Sequence, residues 1–266
     1  SDCEVFDLDF HENKPYVTLE MLNLFKKKEK ITLLIDSGSS DAIWLFNETD
    51  VLSEDSKMFF EDFLGLGFSG NIFGKRSKLD EVWLGNFSLN DVKVAFPGKS
   101  ATEGIKFFLE RDGSIGGDLL KRFTVVFDYS SQKMTLKKNS QFSEPFYYNM
   151  AGLTLEHDGL DMVTELTTHR NFNFTNPTGN ENGTTSQAIT DVSVFTQFAL
   201  VPRYVIVDVR QGSPAQLTGL KIGDEIISIN GTLAYKIKLF QLNTLFSSKV
   251  GKRITLKVKR NGELFK

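Results

Sequence analysis

At 266 residues the chain is long enough for one large or two modest domains. Hydrophobic residues at 40% and charged residues at 24% are the proportions of a globular protein, and a formal net charge of -3 gives no electrostatic reason to expect nucleic acid. Cys3 is the single cysteine, which excludes an intramolecular disulfide and a cysteine-based metal cluster while leaving the compartment open.

No segment approaches the ~18 consecutive apolar residues of a membrane helix, and the first residues are acidic rather than signal-like. Up to about Asn139 the pattern is short apolar runs broken by Gly, Asn, Asp and Lys clusters. Strands are expected at Tyr16–Leu24, Ile31–Ile35, Ala42–Phe46, Val82–Leu84, Val92–Phe96, Thr124–Phe127 and Met134–Leu136. Short helices are expected at Glu54–Leu64 and Asp118–Phe123, with no alternating βαβ rhythm. Thr167–Gln187, rich in Asn, Thr and Gly, reads as a mobile excursion or a long hairpin tip. Beyond it come a strand at Tyr204–Val209, a helix starting at Pro214, strands near Glu225–Ile229 and Ile254–Lys259, and a helix around Lys238–Ser247. The basic residues from Lys257 onward alternate with apolar ones, as on the solvent face of an edge strand.

Leu33-Leu34-Ile35-Asp36-Ser37-Gly38-Ser39-Ser40 carries the most chemistry. An aliphatic strand sets down one carboxylate and turns at once through small hydrogen-bonding residues. That is how a protein prepares an Asp for acid–base work on water. Asp-Ser-Gly is also common in plain turns, where the carboxylate only caps the bend. The strand that follows (Ile43, Trp44, Phe46) would line apolar subsites or belong to the core.

The loop resembles the active-site loop of aspartic proteases, with Ser37 in the Thr/Ser place. Downstream, Gly113–Phe123 followed by Thr124–Tyr129 resembles the closing segment of retropepsin-like domains, in which an apolar-Gly pair precedes a short helix and a strand ending in Asp-Tyr. The resemblance covers roughly Asp7 to Lys138 and implies an acid-protease β-barrel lobe. It makes Asp36, Ser37 and Gly38 the catalytic candidates, and Leu64–Leu84, with its glycines, the flap. Such chemistry needs two carboxylates sharing one proton, and the chain holds one such Asp. The second would come from Asp36 of a symmetry-related chain, so the resemblance implies a homodimer.

Two lookalikes in one stretch are set aside. The first, Gly65-Leu66-Gly67-Phe68, has the letters of a PDZ peptide loop but lies far from the rest of such a domain. Gly65–Gly70 fits the dinucleotide pattern by letter but lacks the strand and helix that pattern needs. His11, His157 and His169 show no metal-ligand spacing, and no cofactor or metal is expected.

Val207–Ala215 followed by Gly219–Gly231 closely resembles PDZ domains: strand, Gly-Ser-Pro-Ala helix start, Gly-Leu-x-x-Gly-Asp turn, strand, Asn-Gly hairpin. Ser213 and Pro214 suit a helix start, Gly219 its end, and Asn230-Gly231 a tight turn. The resemblance implies a β-barrel with two helices, whose groove grips a peptide C-terminus through a loop here matched by Gly152, Leu153, Thr154 and Leu155. The expected layout is a lobe over 1–139, a linker at 140–145 and a PDZ domain over 146–266 with a polar insertion around 167–202. The pairing resembles bacterial envelope proteins, which implies a periplasmic, envelope or extracellular location. Two functions follow: a homodimeric aspartic endopeptidase whose PDZ domain positions polypeptide substrates, or a non-catalytic PDZ scaffold with a degenerate lobe.

Overall fold

The structure is a computed structural model that describes residues 3–23, 27–46, 59–67, 70–102, 111–174 and 188–266. The chain is mainly β and divides into two compact units. The first comprises residues 1–152 with 210–214 and 247–250; the second comprises 153–209, 215–246 and 251–266.

In the first unit the strands are β1 (Cys3–Asp7), β2 (Asp9–His11), β3 (Lys14–Leu22), β4 (Lys28–Asp36), β5 (Ile43–Leu45), β6 (Phe60–Gly67), β7 (Gly70–Leu84), β8 (Phe87–Pro97), β9 (Gly113–Gly116), β10 (Phe123–Asp128) and β11 (Lys133–Lys138). Two single-turn helices join them, α1 (Lys99–Thr102) and α2 (Gly117–Leu120). Strands β3, β4, β9, β5, β8 and β7 follow one another by hydrogen bonding, and β7 pairs back onto β3. That return closes a six-stranded barrel and removes open edges from the ring. Strands β1, β11 and β10 form a separate three-stranded sheet.

Period-two alternation builds the barrel interior. Val17, Leu19 and Met21 on β3, and Ile31 and Leu33 on β4, all point into one apolar cluster with Ile43, Val94 and Ile115. Each such side chain contributes about 1.5–3 kcal/mol by leaving water. Phe146 lies in the same cluster. Arg122, only 1% exposed, holds the approach to it: its guanidinium donates to the carbonyls of Gln141, Glu144 and Pro145 and lies 3.5 Å over the Phe146 ring. Residues 141–146 are therefore pinned onto this unit rather than free.

One expectation fails here. Phe60–Leu64, read from the sequence as the end of a helix, is strand β6, paired residue by residue with β7 from Phe60↔Arg76 to Phe63↔Phe73. Its apolar spacing fits a helix face, but the barrel's neighbouring strand supplies hydrogen-bond partners that outweigh that local preference. The preceding part of that expected helix, residues 54–58, lies outside the described residues.

The second unit holds β12 (Leu153–Phe174), β13 (Ala188–Val209), α3 (Pro214–Leu217, at the unit boundary), β14 (Glu225–Ile229), β15 (Thr232–Leu233), a 3-10 turn at Ala234–Lys236, α4 (Leu239–Phe246), β16 (Leu256–Arg260) and β17 (Glu263–Phe265). The sheet order is β12-β13-β14-β16-β17, with β15 beside β14. Of the two readings of the polar stretch, the hairpin is found: β12 and β13 stay paired out to Phe174↔Ala188. Residues 175–187 lie outside the described residues. Asn230 and Gly231 both take positive φ, 50° and 83°, as a two-residue hairpin turn requires. A second expectation also fails: β16 is not an edge, because β17 covers its far side, and Arg260 turns toward Asp224 instead of solvent. Asp224 is fully buried, and a buried carboxylate needs that bidentate partner.

Candidate functional site

Strand β4 delivers Asp36 to the rim of the barrel, where β9 runs parallel to it with Ile35 opposite Ile115 and Asp36 opposite Gly116. Strand β5 runs antiparallel on the other side of β9, pairing Ile43 with Ile115. The loop between β4 and β5 therefore arches over the end of β9. Gly116 N–H donates to Ala42 O at 2.9 Å, Gly117 N–H to Ser39 O at 2.7 Å, and Asp118 N–H to Asp41 O at 3.2 Å. A Cβ on Gly116 would lie 2.3 Å from Asp41 O, and one on Gly117 would lie 3.0 Å from Ser39 O. Glycine is needed because two backbones meet there. The two sequence segments singled out as a pair, some 80 residues apart, thus form one site.

Asp36, Ser37 and Gly38 are exposed at the tip of this arrangement. Asp36 Oδ1 accepts from Gly38 N–H at 3.1 Å, and Ser39 N–H closes the turn onto Asp36 O at 3.1 Å. A side chain at position 38 would begin 3.3 Å from that carboxylate oxygen. The carboxylate is thus aimed by its own loop while facing solvent. Of the apolar neighbours, Ile43 is core at 0% exposure, and Trp44 is tied down by its indole N–H to Asp41 Oδ2 at 2.6 Å. Arg111 lies over the Phe46 ring at 5.0 Å and donates through Nε to Gly113 O at 2.9 Å.

Sequence reasoning missed the group beneath the loop. Asp41 is 7% exposed, and its Oδ1 accepts from Arg76 Nη1 at 2.5 Å. The same guanidinium donates through Nε to Asp62 Oδ2 at 2.7 Å and through Nη2 to Phe63 O at 3.4 Å. Burial alone would lower the Arg76 pKa, but Asp41 and Asp62 outweigh it and hold it above its ordinary value. The network joins the catalytic-candidate loop to β6 and β7, the hairpin that sequence reading treated as the flap. Beside it, the Tyr148 hydroxyl is buried without a hydrogen-bond partner among the described residues, its ring edge-on to Phe60 at 5.1 Å. Burial pushes the Tyr148 pKa up, with Arg76 opposing. The signal available in the sequence was weak: three charges within apolar runs, 35 and 14 positions apart.

Gly65–Gly67 end β6 and Gly70 opens the antiparallel β7, paired Gly67↔Gly70. The described residues of the dinucleotide lookalike thus lie in two paired strands and not at a strand–helix junction. Gly74 is required for space: a Cβ there would lie 2.1 Å from Phe96 O on the adjacent β8.

In the second unit, β12 has one sheet neighbour among the described residues, β13, and α4 packs beside β12. Leu242 and Phe246 anchor α4 inward. An open strand edge next to a helix is a cleft in which an extended peptide can add as a further strand. A family model for the PDZ domain matches residues 173–266. The chain contains a PDZ domain. The match includes Gly212–Pro214, the Gly219–Asp224 turn and α4. No protease family model matches, and a search of curated proteins finds no match to the chain.

The four candidate residues of the PDZ peptide loop sit just before that edge strand and at its start. Gly152 has φ 70° and donates its N–H to Asn149 Oδ1 at 2.9 Å. A Cβ on it would lie 2.2 Å from Ser213 Cβ. Leu153 and Leu155 are buried in β12, opposite Val209 and Ile206, while Thr154 between them is half-buried. Among the described residues, no group of His, Cys, Asp and Glu is arranged to hold a metal, and no helix is long and apolar enough to cross a membrane.

Proposed function

We propose that the protein is an aspartic endopeptidase that works as a homodimer, with its PDZ domain holding or positioning polypeptide substrates. The observation that supports it most is the seating of the Asp36 loop on Gly116–Gly117 at the rim of a closed six-stranded barrel. Two such loops facing each other across a twofold axis would bring two Asp36 carboxylates around one water. Like charges that close cannot both ionise, so the pair holds one proton. The ionised partner takes a proton from water as it attacks the peptide carbonyl, while the protonated one donates its proton to the carbonyl oxygen. The proton taken from water then passes to the leaving amine as the C–N bond breaks, and the diol hydroxyl returns a proton to the other carboxylate. Ser37 would brace the loops across the axis, and the β6–β7 hairpin would cover the substrate. An envelope location belongs to this reading.

A peptide-binding role rests on firmer ground, since the PDZ domain and the open β12 edge beside α4 both suit it. That favours one alternative, a scaffold in which the PDZ domain binds chain termini and Asp36 does no chemistry. Incubating a diverse peptide pool with wild type and with Asp36→Asn, from acid to neutral pH, separates the two. Cleavage by wild type alone supports the peptidase. No cleavage by folded, dimeric wild type leaves the scaffold.

A further inference from the structure

The β12–β13 hairpin has two unlike faces. Residues paired directly across an antiparallel ladder share a face, and successive pairs alternate. From Leu160↔Pro202 to Thr168↔Val194 the register is unbroken, so the even-numbered residues of both strands form one surface. That surface carries Leu160, Met162, Leu166, Val194, Phe198 and Leu200, each more than half exposed. Its other members over this stretch are Thr164, Thr168, Thr196 and Pro202, so from Leu160 to Thr168 it holds no charged residue; the ladder runs on, with Arg170 next in the same register. The opposite face is mixed: it carries Asp161, Glu165 and Gln197 together with Val201 and the more than half-exposed Phe195, which pairs with Thr167. Glu165 accepts from the Tyr235 hydroxyl at 3.0 Å. Its Val163 and Ala199 are half-buried. The mixed face touches the body of its own unit through Glu165, whereas the even-numbered face leaves six large apolar side chains exposed.

We infer that this apolar ribbon face docks against the same face of a second copy of the chain. At ~3.3 Å per residue the stretch is about 27 Å long. Its exposed apolar surface is on the order of 600 Å², at the top of the about 300–600 Å² of an ordinary monomer's largest patch and near the ~800 Å² that each partner contributes to a standard interface. A stretch without charge is complementary to itself: a twofold pairing buries no unpaired ion. Charges of both signs flank the ribbon, Asp158 with Arg203 and Glu165 with Lys236 in ion pairs, so no uniformly basic fringe marks it for anionic lipid. The Thr164↔Phe198 pair lies at its centre, where a twofold axis would pass. This contact is separate from the Asp36 loop and stands whether or not Asp36 is catalytic.

The test uses the full chain carrying Cys3→Ser, with a single new cysteine on either face, Thr164→Cys or Asp161→Cys, and a short bismaleimide. The expected result is a covalent dimer from Thr164→Cys and little from Asp161→Cys. Adding Phe198→Glu and Leu200→Glu should lower the Thr164→Cys product at least about tenfold while the fold signal stays unchanged. Equal crosslinking at both positions, or none at either, overturns the inference even if the chain dimerises elsewhere. So does a monomer that sediments with phosphatidylcholine vesicles and is released by the same two Glu substitutions; that result would assign the face to lipid.

Discussion

Arg76 Nη1 donates to Asp41 Oδ1 at 2.5 Å, and neither side chain is more than 13% exposed. Asp41 closes the loop that begins at Asp36, and Arg76 sits on β7, so this pair couples the loop to the neighbouring hairpin beneath the surface. Arg76→Met should cost about 3–5 kcal/mol, because it removes the cation between two largely buried carboxylates. It leaves Asp41 the Trp44 indole and Asp62 the Arg210 guanidinium at 3.5 Å. The triple change Asp41→Asn, Asp62→Asn, Arg76→Met should lose less than Arg76→Met alone. Chemical denaturation of the three proteins checks the order.

Gly116→Ala tests the loop's seat. The new methyl would meet Asp41 O at 2.3 Å, so backbone must move, with a loss of about 1–3 kcal/mol. Gly159→Ala is the control for space, since nothing lies within 4 Å there and only its φ of 73° resists. Any peptidase activity should fall with Gly116→Ala and hold with Gly159→Ala.

Asp118 sets a pH dependence. Burial would raise its pKa, but Lys93 and Lys121 outweigh burial and hold it below the ordinary 3.8. A carboxylate depressed in the folded state stabilises fully above its unfolded value and loses that contribution as pH falls through the folded one. Wild-type stability should therefore drop more steeply below pH 4 than that of Asp118→Asn. Thermal melts of both across pH 2.5–7 would show parallel curves if the ion pairs did not matter.

Peptide capture along β12 predicts a preference for free C-termini. A peptide that binds with a free carboxylate should weaken about tenfold or more when amidated, about 1.4 kcal/mol. Gly152→Val, which would collide with Ser213, should weaken the free-carboxylate peptide as well. Fluorescence anisotropy with the two peptide forms reads both effects.

Much of this architecture was legible in the sequence where local chemistry dictates geometry. Asp36 with its small-residue turn, and Gly116–Gly117 before a helical turn, each announce a backbone requirement, and the fold satisfies both in one place. Asn230-Gly231 and Gly219 announce turns in the same way. What stayed hidden depends on partners distant in the chain. Phe60–Leu64 has helix-like apolar spacing, and only β7 alongside makes it a strand. Asp62 becomes an inward charge only once Arg76 lies within reach. Arg260 reads as solvent-facing until β17 closes the edge and Asp224 turns out to be buried.

The central claim is that one Asp36 from each of two chains makes the reactive pair, and subunit mixing tests it most directly. Asp36→Asn is titrated into wild type at fixed total protein, subunits are allowed to exchange, and cleavage of a peptide found by the pool experiment is followed. The account predicts activity that falls as the square of the wild-type fraction, because a mixed dimer holds one carboxylate. A linear fall would place the whole reaction within a single chain and contradict it.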